Sequence, residues 1–260
     1  MTNSCGKLIS GIVNSGQGLM ASSGKLYHDD AYIRQFAAIV TDSQGGASRL
    51  SATAFYPGGG GQPSDCGTLE ASGQVLTVVG VRQDATGEIW HDVGEDLRVG
   101  LEISGEIDWA KRLAFMRRHT LLHIVNALVF RDLQGLITGV HIGQERCSID
   151  FDLPLLLLQQ RSVLEDKINE VISSDAEVIS YWINEDEFLA CPSFIRTADV
   201  APPIVDGKVR IVSIGDFDAQ ACGGTHVHRT SEIGPCRILK VDNKGRKNRR
   251  IHIRLTAPSE

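Results

Sequence analysis

Long hydrophobic runs, paired cysteines and an excess of positive charge are all missing from this chain of 260 residues. No stretch of about 18 consecutive apolar residues occurs, so the sequence predicts no transmembrane helix. None of the six cysteines belongs to a C-x-x-C pair, which argues against a secreted disulfide framework and favours the cytoplasm. The net charge of -6 excludes a generally basic nucleic-acid-binding protein, although a local basic patch can still bind a phosphate backbone.

The N-terminus lacks both the apolar core of a secretory signal and the arginines of a transit peptide. Residues 1–24 contain no acidic residue and no arginine, and they are rich in serine and glycine. We treat this segment as a leader and leave it out of the fold prediction.

The first part of the remaining chain has the pattern of a β domain. Short strand-like runs, separated by glycine and polar turn residues, occur at Ala37–Val40, Val75–Val79 and Glu88–His91. Such spacing is typical of small barrels and sandwiches. At Asp108 the period changes, because this residue can cap a helix that runs from Trp109 to about Asp132.

Beyond that helix, strands and helices follow one another without a regular β-α-β repeat. Strand-like sequence lies around His141–Asp150, and apolar residues at helical spacing predict a helix from about Leu155 to Ser173. The other strand-like segments are Val178–Ile183, Val209–Ile214, Arg237–Val241 and Ile251–Leu255. We predict an α+β protein, with a small β-barrel domain at residues 25–107 and a two-layer α/β domain with an open antiparallel sheet at residues 108–260.

The strongest local feature is the pentapeptide His119-Thr120-Leu121-Leu122-His123. Histidines at positions i and i+4 lie on the same face of a helix, so their ring nitrogens can meet at one metal ion. Thr120 stands where the H-E-x-x-H motif of zinc proteases has its glutamate, so the general base of that motif is missing. Taken alone, the pair favours two hydrogen-bonded, partly buried histidines over a metal site.

A second pair of donors lies in Cys222-Gly223-Gly224-Thr225-His226. Thiolate and imidazole both bind Zn²⁺ well, and glycines allow a tight turn between them. Three histidines and one cysteine match the donor types and the number that zinc prefers. The combination therefore predicts a zinc site formed by His119, His123, Cys222 and His226.

The run Gly58-Gly59-Gly60-Gly61-Gln62 is neither a P-loop nor a dinucleotide-binding fingerprint, so nothing in it predicts a use of ATP. It forms either a flexible hairpin or a loop that approaches a ligand closely, with Gln62 and Asp65 beside it.

Positive charge concentrates beside the histidine pair and near the C-terminus. We predict that a phosphodiester end binds there, through Arg117, Arg118, Lys244, Arg246, Lys247, Arg249 and Arg250.

From about Tyr27 to Leu255, these motifs resemble the editing domain of alanyl-tRNA synthetase. The resemblance rests on the Phe55–Gln62 run, on Arg118-His119-Thr120, and on the long block from Ala219 to Val227 with Thr230–Gly234 after it. The chain has no room for an aminoacylation domain, so it is similar to the freestanding alanyl-tRNA editing proteins, the AlaX family. The Gly-rich loop and the N-terminal β domain indicate the medium-length type.

The resemblance implies a zinc-dependent hydrolase that cleaves the ester of seryl-tRNA(Ala), and of glycyl-tRNA(Ala), in trans as translation quality control. Such an enzyme is needed because an alanine pocket admits glycine and rejects an added hydroxyl poorly. We expect Thr120 to contact the serine hydroxyl, and Gln62 and Asp65 to lie in the same pocket. The Gly58–Gly61 loop and the basic residues would hold the acceptor end of tRNA(Ala), and the protein would be a monomer or a homodimer.

The role of the metal stays open, and so do three alternative functions of the protein. Zinc could activate water, polarise the ester carbonyl or orient the aminoacyl group, and four protein ligands leave no open position unless His226 is a loose ligand. Threonyl-tRNA editing domains have the same ligand pattern. A zinc-stabilised tRNA-binding protein without catalysis would fit a saturated site, and a metalloprotease is disfavoured by the missing glutamate.

Overall fold

The computed structural model describes residues 24–153, 158–198 and 201–256. Its helices are α1 (Leu26–Asp29), α2 (Trp109–Leu133), α3 (Leu158–Ser173) and α4 (Glu185–Leu189). Its strands are β1 (Gln35–Gln44), β2 (Ala47–Leu50), β3 (Gly67–Ala71), β4 (Gln74–Val78), β5 (Gly80–Gln83), β6 (Ile89–Asp92), β7 (Glu102–Ile107), β8 (Ile137–Ile142), β9 (Cys147–Asp152), β10 (Val178–Asn184), β11 (Ile204–Val205), β12 (Lys208–Ile214), β13 (Asp218–Ala221), β14 (Cys236–Asn243) and β15 (Asn248–Leu255). The predicted leader lies outside the described residues except for Gly24, and so does the predicted helix start at Leu155.

The first seven strands form one antiparallel sheet in the order β4-β3-β7-β1-β2-β6-β5. The long strand β1 pairs with β7 over residues 35–39 and with β2 over residues 40–44, with an irregularity between Val40 and Asp42. Alternate residues of β1 are buried, namely Phe36, Ala38 and Val40, and they pack in a core with Phe55 and Leu69 among others.

The predicted closed barrel is wrong, because the outermost strands β4 and β5 do not pair with each other. Only Val79 separates these strands in the sequence, so the chain has no room for the reversal that antiparallel pairing requires. The Val79 amide instead donates to the carbonyl of Asp92 at 3.0 Å. The sheet therefore has no hydrogen-bonded closure between these strands, although its two edges meet at Val79.

Helix α2 begins and ends where the sequence predicts a helix. The Asp108 side chain caps it by accepting a hydrogen bond from the Lys111 amide, and Gln134 ends it in the left-handed region with a φ of 57°. Every residue from His119 to Val129 is buried. A helix that is buried on all sides must be covered from more than one direction.

Two antiparallel sheets cover α2, where the sequence predicted one. The first has the strand order β14-β15-β9-β8, and the second has the order β10-β12-β11 with β13 also paired to β12. Ile149 and Ile251 of the first sheet share one core with Val212 and Ile214 of the second. A single sheet covers only one face of a helix, which is why the prediction of one sheet fails here.

The boundary predicted at Asp108 stays a prediction. In the fold, β7 ends at Ile107 and α2 begins at Trp109. No helix within the described ranges is long and apolar enough to cross a membrane.

Candidate metal centre and cavity

Helix α2 and the turn after β13 bring four donor side chains together. One donor atom from each of His119, His123, Cys222 and His226 lies within 4.8 Å of the others. The Cys222 Sγ is 3.5 Å from His119 Nε2 and 3.4 Å from His226 Nε2. Two ligands of one tetrahedral Zn²⁺, each bound at about 2.0–2.3 Å, lie about 3.5 Å apart. The donor types and their spacing therefore fit a zinc ion.

Burial keeps the three imidazoles neutral. It lowers the pKa of His119 to about 4, with a smaller effect of the Arg210 charge. Burial also lowers the pKa values of His123 and His226 well below the ordinary value, and a proton on His119 would lower both further. Burial raises the pKa of the Cys222 thiol. The imidazoles thus offer their lone pairs directly, whereas the thiol must release a proton when it binds a metal.

Gln62 fixes the orientation of the His119 ring. Its side-chain nitrogen donates to Thr225 Oγ1 at 2.8 Å, and its oxygen lies 2.7 Å from His119 Nδ1. The Gln62 oxygen therefore accepts the Nδ1 proton and leaves Nε2 to face Cys222. This is the outer-sphere contact that metal-binding histidines usually make. The sequence predicted Gln62 near the site, but not this partner.

Thr120 holds His226 in a similar way. Its Oγ1 donates to the Met116 carbonyl at 3.0 Å, lies 3.1 Å from His226 Nδ1 and accepts from the Val227 amide at 3.3 Å. These contacts use the full hydrogen-bonding capacity of a hydroxyl. Thr120 is completely buried.

Asp65 lies in a buried ion pair. Both of its oxygens accept from Arg112 Nε at 3.0 Å, and Arg112 Nη2 donates to the same carboxylate. The Tyr56 amide also donates to Asp65, at 2.6 Å. Asp65 therefore anchors the start of the Gly-rich run to α2.

Two glycines allow the close contacts on which the site depends. All four glycines of the loop, Gly58–Gly61, have positive φ. A Cβ at Gly61 would lie 2.6 Å from the Val140 carbonyl oxygen, and a Cβ at Gly224 would lie 2.2 Å from His119 Cε1. The Gly61 carbonyl accepts from the Ile142 amide at 3.0 Å, so the loop is attached to the edge of β8.

A cavity of about 620 Å³ opens beside the donors. Its walls include His119, His123 and Cys222, together with the Gly58–Gly61 loop. The rest of the wall is largely apolar and includes Leu122, Ile137, Val140, Phe194, Ile195, Pro202 and Pro203. Such a shape, with a polar corner and apolar walls, is typical of a small-molecule site.

Sequence reasoning missed two residues of this region. His28 lines the cavity and its Nε2 lies 3.1 Å from the Gly223 carbonyl; burial lowers its pKa to about 3. No motif in the sequence marks it. Arg210 is buried behind the Cys222–Gly224 turn. A signal for Arg210 existed, since it is the charged residue inside the apolar run Val209–Ile214.

Comparisons with known proteins support the resemblance that the sequence motifs indicated. Residues 209–252 match the family described as "Threonyl and Alanyl tRNA synthetase second additional domain". The alanyl-tRNA editing protein AlaX-M of Saccharolobus solfataricus is 38% identical over 233 residues, which cover 88% of this chain and 97% of that protein. AlaX-M of Methanosarcina barkeri is 35% identical over 242 residues, which cover 88% of this chain and 98% of that one. The chain belongs to the AlaX-M family.

AlaX-M proteins are not the only relatives. The alanine–tRNA ligase of Pyrococcus abyssi is 32% identical over 228 residues, which are 84% of this chain but 24% of the ligase. This AlaX-M chain therefore corresponds to one part of the ligase.

The basic residues predicted to bind tRNA divide into two groups in this AlaX-M chain. Lys244, Arg246 and Lys247 are exposed in the turn between β14 and β15. The others are engaged within the protein: Arg117 donates to the Ile233 carbonyl, Arg118 to the Ala114 carbonyl, Arg249 to Asn243 Oδ1 and Gly245 O, and Arg250 to Asp150. Strand β8, which lines the cavity, is the opposite edge of the sheet from β14.

Proposed function

We propose that this chain hydrolyses the ester bond of seryl-tRNA(Ala), and of glycyl-tRNA(Ala), in trans in the cytoplasm, as translation quality control. The observation that carries the proposal is the set of four metal donors at one corner of the cavity. The named activity of the AlaX-M relatives supports alanyl-tRNA editing.

His119, His123, Cys222 and His226 would hold a zinc ion. When bound, zinc polarises a carbonyl or lowers the pKa of a bound water. His119 is oriented by Gln62 and His226 by Thr120, whereas the His123 ring has no hydrogen bond to a described residue. An outer-sphere partner fixes the orientation of a ligating ring, and the described residues provide none for His123. We therefore propose His123, rather than His226, as the loose ligand.

Thr120 and Gln62 serve in this proposal as positioning residues, not as contacts of the serine side chain. The hydroxyl of Thr120 has no free donor or acceptor left, since it contacts Met116, His226 and Val227. Asp65 is likewise occupied by Arg112. These contacts would have to break before any of the three residues could bind substrate.

The cavity is large enough for more than the amino acid. One water molecule occupies about 30 Å³ in the liquid, so a volume of about 620 Å³ exceeds several-fold the need of a seryl group with six heavy atoms. We propose that the 3′-terminal adenosine fills the remaining space, with its base against the apolar wall around Phe194 and Pro203. Bases pack on apolar and aromatic surfaces without requiring a matched hydrogen-bond pattern.

The deciding experiment measures deacylation of tRNA(Ala) charged with serine, glycine or alanine. We expect the wild type to cleave the seryl ester faster than the alanyl ester. Cys222→Ala should lose at least about a thousandfold in kcat/KM, equivalent to about 4 kcal/mol of transition-state stabilisation. Cys66→Ala, a half-buried cysteine outside the donor cluster, is the matched control and should retain activity.

Two outcomes would favour other functions. Binding of tRNA without cleavage of any ester would indicate a zinc-stabilised binding protein. Preferential cleavage of seryl-tRNA(Thr) would indicate threonyl-tRNA editing; the matched family description names threonyl-tRNA synthetase beside alanyl-tRNA synthetase.

A further inference from the structure

A buried arginine normally pairs with a carboxylate, because the cost of removing its charge from water must be offset. Two arginines of this protein follow that rule: Arg112 pairs with Asp65, and Arg196 pairs with Asp218. Arg210 is 6% exposed, and it forms no ion pair with a carboxylate of the described chain. Something other than a salt bridge must therefore account for its presence in β12.

Arg210 is bound to the turn that carries Cys222. Its Nη1 donates to the Cys222 carbonyl at 3.0 Å and to the Gly224 carbonyl at 2.9 Å. The Arg210 carbonyl accepts from the Cys222 amide at 3.0 Å. Three hydrogen bonds thus connect one residue to both ends of a three-residue turn.

The position of this turn determines the geometry of the donors. The Gly224 amide lies 3.4 Å from Cys222 Sγ, and a Cβ at Gly224 would lie 2.2 Å from His119 Cε1. The backbone of the turn therefore packs directly against the His119 ring. A shift of the turn would move Sγ relative to His119 and His226 at once.

We propose that Arg210 is a positioning residue of the metal centre, which clamps the Cys222–Gly224 turn so that Sγ stays at ligand distance from the histidine nitrogens. The proposal rests on the proposed function only in assuming that the four donors bind a metal. It does not require that tRNA be the substrate.

Replacement by lysine separates this role from a purely electrostatic one. A guanidinium repels a divalent cation but also stabilises the thiolate that binds it, so neutralising Arg210 changes metal affinity in two opposing ways. If Arg210 acted by its charge alone, Arg210→Lys, which keeps the charge, would bind metal as the wild type does. If it acts as a clamp, Arg210→Lys weakens metal binding although the charge is kept.

The test compares Arg210→Gln and Arg210→Lys with the wild type and with Ile211→Val. Glutamine removes the charge, and lysine keeps it but places a flexible ammonium where the rigid guanidinium holds Nη1 between the two carbonyls. Ile211 is fully buried in the same strand, so its shortening to valine controls for a general loss of packing. Metal-free full-length protein is titrated with Zn²⁺ and with Co²⁺ against a chelator, and the Co²⁺ spectrum reports the thiolate-to-metal band.

We expect both Arg210 variants to bind Zn²⁺ and Co²⁺ about 10–100-fold more weakly, as outer-sphere substitutions do, with an altered thiolate band. Ile211→Val should bind both metals as the wild type does. If Arg210→Gln does not fold, the metal affinity of Arg210→Lys decides the test. Unchanged or tighter binding, equal weakening in Ile211→Val, or a wild type that binds no metal would each overturn the proposal. Because no tRNA enters this assay, a failure to hydrolyse seryl-tRNA(Ala) is a separate result.

Discussion

Two sets of buried polar side chains differ in how they use their hydrogen bonds. In the first set, Arg112 donates to Asp65 and to the Ala31 and Ala54 carbonyls, and both ring nitrogens of His91 lie within hydrogen-bond distance of Thr53 Oγ1 and the Ser48 carbonyl. The second set is the group of four metal donors, whose free nitrogens and sulfur face one another. The first set completes its own bonding and holds the fold together. The second set has lone pairs directed at a common point, which is the arrangement that a bound metal ion requires.

The largest effect is expected when the first set is broken. Arg112→Met leaves the Asp65 carboxylate buried without its partner, and should lower the free energy of unfolding by about 3–5 kcal/mol. Chemical denaturation measures this loss. The double variant with Asp65→Asn should recover part of it, because no uncompensated charge then remains. A loss below about 1 kcal/mol in Arg112→Met would contradict the role assigned to the pair.

A smaller effect is expected when one outer-sphere contact of the second set is removed. Gln62→Leu leaves the His119 Nδ1 without its acceptor, and should reduce metal affinity about 10–100-fold. Chelator competition measures the change. The matched control is Thr53→Val, which removes the equivalent partner of His91. It should lower stability and leave metal affinity unchanged. If Gln62→Leu and Thr53→Val weakened metal binding equally, the two sets would not differ in their role at the metal centre.

The smallest effect concerns pH. Burial lowers the pKa of His91 to about 4, below its ordinary value near 6.5. The unfolded chain therefore binds the proton first, so the stability contributed by neutral His91 is present above pH 6.5 and is lost as the pH falls towards 4. From pH 6.5 to 5.5 this loss should be about 1 kcal/mol. Denaturation of the metal-loaded protein at both pH values measures it, with His91→Gln, which cannot titrate, as the reference. If His91→Gln loses as much stability as the wild type between pH 6.5 and 5.5, His91 is not responsible for the loss.

Local patterns were sufficient for the helix and for the donor set. The change of period at Asp108 predicted α2, and histidines four residues apart had to share a face of it. The strand-like runs at Val178–Ile183 and Val209–Ile214 correspond to β10 and β12. The closed barrel was wrong because pairing of β4 with β5 depends on the path of the chain, not on the alternation within either strand.

By itself, the sequence determined which side chains could bind a metal, since donor chemistry and helical spacing are properties of short segments. Only the tertiary structure decided what surrounds those donors. Gln62 and His119 form a hydrogen bond although they are 57 residues apart in the sequence, and Thr120 and His226 are 106 residues apart. Arg210 lies beside the Cys222–Gly224 turn because β13, which precedes the turn, pairs with β12. The roles of these residues depend on partners that are distant in the chain, and pairwise contacts of that kind exist only after the chain has folded.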